Sequence, residues 1–250
     1  MPAKSAKPPR IQSRRARLHE PPLREDRIAQ AYEKLRDLIG WGKLAPGTRI
    51  IESDIALRLD ISRTPVRSAL QRLQQEGYIL VSDGGKQARL SVAPLTVEDA
   101  RELFSIVGVV EGLAARRAAE LDEVTRAALV RTLREFNGEL LRAADAQAPD
   151  SNLIFDLDLN FHRSYVEAGA GPRLLTLHRA IKPQSERYNR LYTNTLVAEI
   201  HTSVHEHDVI IRSIEEGDPA SADQAAQLNF HNAAERLSRV IVDVGERGVW

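Results

Sequence analysis

The chain has 250 residues, with 35 basic and 35 acidic side chains, no cysteine and a single methionine. At about 150 residues per domain this makes one large or two small domains, and without a thiol, disulfide scaffolds, zinc fingers, Fe–S clusters and cysteine nucleophiles are excluded. The longest mostly apolar run, Ile106 to Ala115, is interrupted by Glu111 and falls well short of the ~18 residues that span a bilayer.

Residues 1–24 combine Pro, Lys and Arg with few large apolar groups and lack the apolar stretch of a secretory signal. They read as a disordered basic arm, either a plain tail or a source of extra phosphate contacts, on a soluble cytoplasmic protein. From Ile28 the apolar positions Ile28, Tyr32, Leu35 and Ile39 recur at helical spacing until Pro46-Gly47 forces a turn. A short helix follows from Ser53, read as its cap, to Leu59. A third begins after Ser62, tolerates Pro65 in its first turn, buries Val66, Ala69, Leu70 and Leu73, and stops at Gly77. The runs Tyr78–Ser82 and Ala88–Val92 flank Asp83-Gly84-Gly85-Lys86 and predict a β-hairpin with a glycine-rich tip. Helix, helix, helix, hairpin is the order of a winged helix-turn-helix. In the third helix Arg63, Arg67 and Gln71 lie at i, i+4 and i+8, opposite the apolar stripe. Such a row suits a major groove, since arginine forks match guanine O6 and N7. Thr64 at the helix start can reach a phosphate or a base, and Gly85 and Lys86 are placed to press the wing against the duplex.

After Pro94 the strand signals cease. Residues 1–94 hold 18 Lys+Arg and 10 Asp+Glu, and residues 95–250 hold 17 and 25, so a basic module (+8) is joined to an acidic one (−8). Helices are predicted from Thr96, with stripe Leu103, Val107, Val110 and Ala114, and then through Leu129, Leu133, Phe136 and Leu140. Four more follow at 152–168, 172–194, 196–216 and 219–244. The fold class is mainly α: a winged helix-turn-helix over 25–94, then an all-α bundle over 95–245.

Placing 100° per residue around these helices turns several polar groups inward. Asp158 and His162 fall within the arc of Ile154, Leu157, Phe161 and Tyr165. His207 centres the arc of Ile200, Val204, Ile211 and Ile214, and Asn229 sits among Ala222, Ala226 and Ala233, with His231 pointing away. A buried carboxylate is costly unless paired or metal-bound, and imidazole with carboxylate suits a divalent transition metal of the Zn, Ni or Mn class. Hydrogen-bonded core histidines are the competing reading. On the helix 172–194, His178, Ser185, Tyr188 and Tyr192 share an inward stripe with Leu174 and Ile181, as effector contacts or as ordinary core or dimer packing. Pro183 is expected to bend that helix.

The stretches Gly42–Thr48 (GKLAPGT), Ser62–Leu70 (SRTPVRSAL) and Leu73–Gly77 (LQQEG) closely resemble the DNA-binding domain of the GntR family of bacterial transcription regulators. That resemblance implies Arg63, Thr64 and Arg67 as main DNA contacts, supported by Arg49, Ser53, Gly85 and Lys86; the family often has a basic residue where this chain has Ser53. The helical half resembles the FCD ligand-binding domain of the FadR-like subfamily. Asp158-Leu-Asn-Phe-His162 looks like its Asp-x-x-x-His element, and Glu206-His207-x-x-Ile210 with Gly217-Asp218 looks like its next ligand block. The family commonly binds a metal through one Asp and three His. Here the last histidine position falls on Asn229, and Val107 stands where many members have an arginine suited to an acidic effector. The resemblance implies a homodimeric, metabolite-responsive repressor on a pseudo-palindromic operator, with a carboxylate-bearing effector. The alternative is a metal-dependent enzyme using Asp158, His162 and His207.

Overall fold

The computed structural model describes residues 24–82 and 89–248. In its N-terminal part, α1 (Arg24–Gly40), β1 (Arg49–Ile50), α2 (Glu52–Leu59), α3 (Arg63–Gln75), β2 (Ile79–Ser82) and β3 (Arg89–Val92) follow in chain order. The strands form one antiparallel sheet of order β1-β3-β2, in which Leu80 and Arg49 both pair with Ser91. β1 is too short for an alternating pattern to reveal it. The helices and sheet close over Tyr32, Leu35, Ile39, Ile55, Val66, Leu70, Leu73, Tyr78 and Val92, and a fully buried aliphatic such as Leu73 contributes roughly 1.5–3 kcal/mol.

Two expected caps differ from what forms. α2 begins at Glu52 with Ile51 at its N-cap, so Ser53 lies inside the first turn, and its Oγ donates to Asp54. Ser62 does occupy the α3 N-cap, but its side chain accepts no capping bond. The turn between these helices depends on Asp60, whose φ of 53° is left-handed; its N–H closes α2 onto Ala56 and Leu57. Asparagine and aspartate tolerate this region better than other side chains.

The second part is helical throughout: α4 (Val97–Ala119), α5 (Glu123–Ala144), α6 (Ser151–Gly169), α7 (Pro172–Leu196), a 3-10 turn (Val197–Glu199), α8 (Ile200–Glu215) and α9 (Pro219–Val244). That turn begins the segment read as one helix from 196. α7 runs unbroken through Pro183. Thr96, Asp122, Asp150 and Asp218 cap α4, α5, α6 and α9 by accepting from backbone N–H groups of the first turn. α4 lies at the centre and touches α6, α7, α8 and α9. Its crossing with α9 is close because Gly108 and Gly112 present no side chain there. A Cβ at Gly108 would come within 3.0 Å of the Phe230 Cβ, and one at Gly112 within 2.9 Å of the Gln227 Cγ.

The segment joining the two parts is held from both sides. Arg187 of α7 donates to the Ala93 carbonyl, and Leu95 exchanges two backbone hydrogen bonds with Arg247. Tyr188 Oη accepts from Thr96 N–H and donates to Asp99.

Candidate nucleic-acid interface and candidate metal centre

Arg63, Thr64, Arg67 and Gln71 are exposed on α3, opposite its buried stripe, and Arg49 is exposed on β1. The C-terminal half of α3 is locked to α1: the Tyr32 hydroxyl donates to Glu76, Arg72 pairs with Glu76, and the Arg72 guanidinium lies 3.7 Å from the Tyr32 ring centre. The reading row therefore sits on a fixed base. Arg67 is engaged by a partner that the sequence did not announce. Its Nε and Nη2 both donate to Glu52 at the start of α2, with the shortest contact at 2.8 Å. The pair is exposed, so it is worth no more than about 1 kcal/mol and can open to a stronger acceptor. Ser53 is half-buried beside Glu52. Gly85, Lys86 and the arm up to residue 23 lie outside the described residues.

In the bundle, Asp158 and His162 come from successive turns of α6 and His207 from α8, and one potential ligand atom of each lies within 4.8 Å of the others. Each imidazole is held by its Nδ1. For His207, Nδ1 is 3.1 Å from Asn137 Oδ1 on α5, and the Asn137 amide is itself fixed by donating to Val204 O and Asp208. The anchored oxygen is an acceptor, so His207 carries its proton on Nδ1. Its Nε2 is then a bare lone pair, buried without a hydrogen-bond partner and 3.6 Å from Asp158 Oδ1. Burial, with His162 and Arg236 nearby, holds the His207 pKa well below 6.5, so the ring is neutral. Phe161 stacks on it at 3.9 Å.

For His162, Nδ1 is 2.9 Å from Glu111 Oε2, and this leaves Nε2 free. Glu111, fully buried on α4, is the hub of the site. Its other oxygen accepts from Lys182 at 2.8 Å and from His178 at 2.9 Å, and Tyr165 Oη donates to Oε2. Burial alone would raise its pKa; Lys182 and His162 outweigh that and hold it well below 4.5. An imidazole whose far nitrogen is fixed by a carboxylate or amide oxygen is the arrangement that orients metal-ligating histidines. The orphaned Nε2 of His207, beside Asp158, is what a divalent cation would satisfy, and these residues fit one.

α9 turns Asn229 inward and His231 out to solvent. The Asn229 amide donates to Glu206, which also accepts from Asn232 and, at 2.7 and 2.9 Å, from Arg236. A cavity of about 70 Å³ adjoins the group, with Asp158, His162, Asn229, Lys182 and Arg236 among its lining residues. The α7 side chains that reach it are Lys182, Asn189, Thr193 and Leu196. Ser185, Tyr188 and Tyr192 are buried elsewhere: the Ser185 hydroxyl donates to Lys182 O, Tyr188 anchors the start of α4, and Tyr192 packs near Arg247. His178 faces Glu111 from a separate cleft. Sequence reasoning overlooked Glu111, Lys182 and Arg236. Each is a charge set inside an apolar helical arc, Glu111 on α4, Lys182 on α7 and Arg236 on α9, and the test that picked out Asp158, His162 and His207 flags such charges there too.

The sequence matches the FCD domain over residues 102–232 and the bacterial regulatory proteins of the gntR family over residues 27–86. The chain belongs to the GntR family. It is a DNA-binding transcriptional regulator with an FCD domain. An HTH-type transcriptional regulator in the unstable DNA locus of Streptomyces ambofaciens is 30% identical over 211 residues, 84% of either chain. A probable repressor of the D-xylose utilization operon in Paenarthrobacter nicotinovorans is 28% identical over 196 residues, 78% of this chain and 81% of the relative. The fold is that of Escherichia coli McbR/YncC, with a TM-score of 0.65 at 19% identity over 85% of this chain and 97% of that one. These relatives are regulators and not enzymes. Among the described residues no helix of the regulator is long and apolar enough to cross a membrane.

Proposed function

We propose that the regulator is a metabolite-responsive repressor that works in the cytoplasm as a homodimer on a pseudo-palindromic operator. Residues 25–94 form its DNA-binding unit, and 95–245 its effector-binding and dimerisation unit. Arg63, Thr64 and Arg67 read the duplex, Arg67 exchanging Glu52 for a base or phosphate, with Arg49, Ser53, Gly85 and Lys86 in support. One winged helix reads few base pairs, and a twofold-related pair supplies useful specificity. An apolar stripe on α4, Ile106, Val109 and Leu113, 42–48% exposed, beside Leu228 of α9, supports a surface for the second copy.

Asp158, His162 and His207, with Asn229 as the fourth position, hold a divalent cation of the Zn, Ni or Mn class. The observation that carries this reading is the buried, unpartnered Nε2 of His207 next to Asp158. When bound, such an ion supplies a Lewis-acidic centre for an effector oxygen. Asn137 and Glu111 hold the two imidazoles by their Nδ1 atoms and so fix the direction of each Nε2. Lys182 and Arg236 line the adjoining cavity as hydrogen-bond donors, which suits a carboxylate-bearing effector and stands in for the arginine missing at Val107.

The test is selection of bound sequences from a random duplex library at near-physiological salt, where the sequence-independent phosphate term is suppressed, with metal content measured on the same protein. A twofold-symmetric motif and about one equivalent of metal per chain are expected. A motif without symmetry refutes the dimeric reading, and metal retained undiminished by Asp158→Ala/His207→Ala refutes the metal assignment.

A further inference from the structure

On the far side of Lys182 from the effector cavity lies a larger cleft, about 400 Å³, walled by α1, Trp41 and Tyr78 on one side and by α6 and α7 on the other. Six cations line it: Arg36, Arg163, Arg179, Lys182, Arg187 and Arg190. They face three carboxylates, Asp37, Glu167 and Glu186. Lys182 is matched by Glu111 and Arg36 by Glu33, and neither of these acids lines the cleft. Among the described residues the other four guanidinium groups have no carboxylate at salt-bridge distance.

Two of the four are placed where unmatched donors are costly. Arg187 is only 4% exposed; its Nη2 donates to Ala93 O at 2.9 Å, while its Nε has no partner. Arg190 lies between Trp41 and Phe155, 3.4 and 4.1 Å from the ring centres, and its Nη1 is buried and unpartnered. Aromatic faces attract the charge but do not accept the N–H bonds in the guanidinium plane. Those bonds fit the oxygens of a phosphate or carboxylate.

We propose that this cleft is a second ligand site, for a small, multiply charged oxyanion of phosphoryl or polycarboxylate type. Arg187 and Arg190 bind it at the floor, and Arg163 and Arg179, both exposed, at the rim. The α3 reading row does not line the cleft, and a duplex is too wide for it. The four arginines all belong to the helical bundle, and α1, Trp41 and Tyr78 of the DNA-binding unit form the opposite wall, so the ion sits at the junction of the two units. None of this depends on the metal or effector assignment above.

The chain has two tryptophans, Trp41 and Trp250, so in a Trp250→Phe protein the emission comes from the cleft. This protein is titrated with pyrophosphate and, separately, with citrate, at ionic strength held constant with NaCl. A saturable change in emission with a midpoint below about 1 mM is expected, the tighter probe identifying the phosphoryl or the polycarboxylate class. The rim pair Arg163→Glu/Arg179→Glu, at exposed positions that leave the core intact, raises the midpoint by at least about tenfold. Asp158→Asn leaves it unchanged. A response that is still linear at about 10 mM, one indifferent to the rim pair, or one abolished by Asp158→Asn overturns the proposal.

Discussion

The α3 face and the bundle interior both carry charge, in opposite ways. On α3 the charged groups are exposed and joined to few others, as Arg67 is to Glu52. Inside the bundle one carboxylate, Glu111, holds Lys182, His162, His178 and Tyr165 at once, away from water. A surface built to bind a partner can lose a member without harm to the fold. A buried network cannot, because each member removed leaves another uncompensated.

The largest expected effect tests that contrast directly. Glu111→Gln keeps the shape but strands Lys182 in the interior, and should destabilise the protein by about 3–5 kcal/mol in chemical denaturation; a loss under about 1 kcal/mol would show that the network is not charge-coupled. On the outer face, Arg63→Ala should cost about 1–3 kcal/mol of specific operator affinity while shifting stability by less than about 0.5 kcal/mol. The comparison fails if stability moves and operator binding does not. Asn137→Ala lies between the two, since it removes the neutral group that orients His207 together with its bonds to Val204 O and Asp208. Metal affinity should fall about 10- to 100-fold, read by competition with a chromophoric chelator, with the fold retained.

The smallest effect concerns the helix starts. Asp122 and Asp218 have pKa values below 3.8, set first by the hydrogen bonds of Thr125 and Ser221 respectively. A depressed folded-state pKa gives stability that is complete above the unfolded value and is lost as pH falls through the folded one. Lowering pH from 5 towards 3, a window of about two units, should therefore weaken wild type more than Asp122→Asn/Asp218→Asn. Equal acid sensitivity in the two proteins would remove the caps from the account.

What the sequence made legible follows from periodicity. Arg63 and Arg67 could be placed outward, and Asp158, His162, His207 and Asn229 inward, because one helix repeat decides both. Periodicity does not say which neighbour an inward side chain meets. Ser185, Tyr188 and Tyr192 do point inward, but α7 is covered on more than one side, and its cavity-facing residues turned out to be Lys182, Asn189 and Thr193. Glu111 broke the apolar run in plain view; its meaning came only from the two other helices, α6 and α7, that bring His162, Tyr165, His178 and Lys182 to it. The Arg67–Glu52 pair spans two elements and has no local signature at all.

α7 is a single rod of 25 residues, about 37 Å long at 1.5 Å per residue, and it forms part of the wall of both hollows. Asn189 and Thr193 belong to one hollow, Arg187 and Arg190 to the other, and Lys182 lines both. A signal from effector to DNA then needs no relay of side chains, because a rod cannot be pushed at one wall without moving the other. Its softest joint is Pro183, which offers the Arg179 carbonyl no helical N–H, one residue from the lysine that grips Glu111.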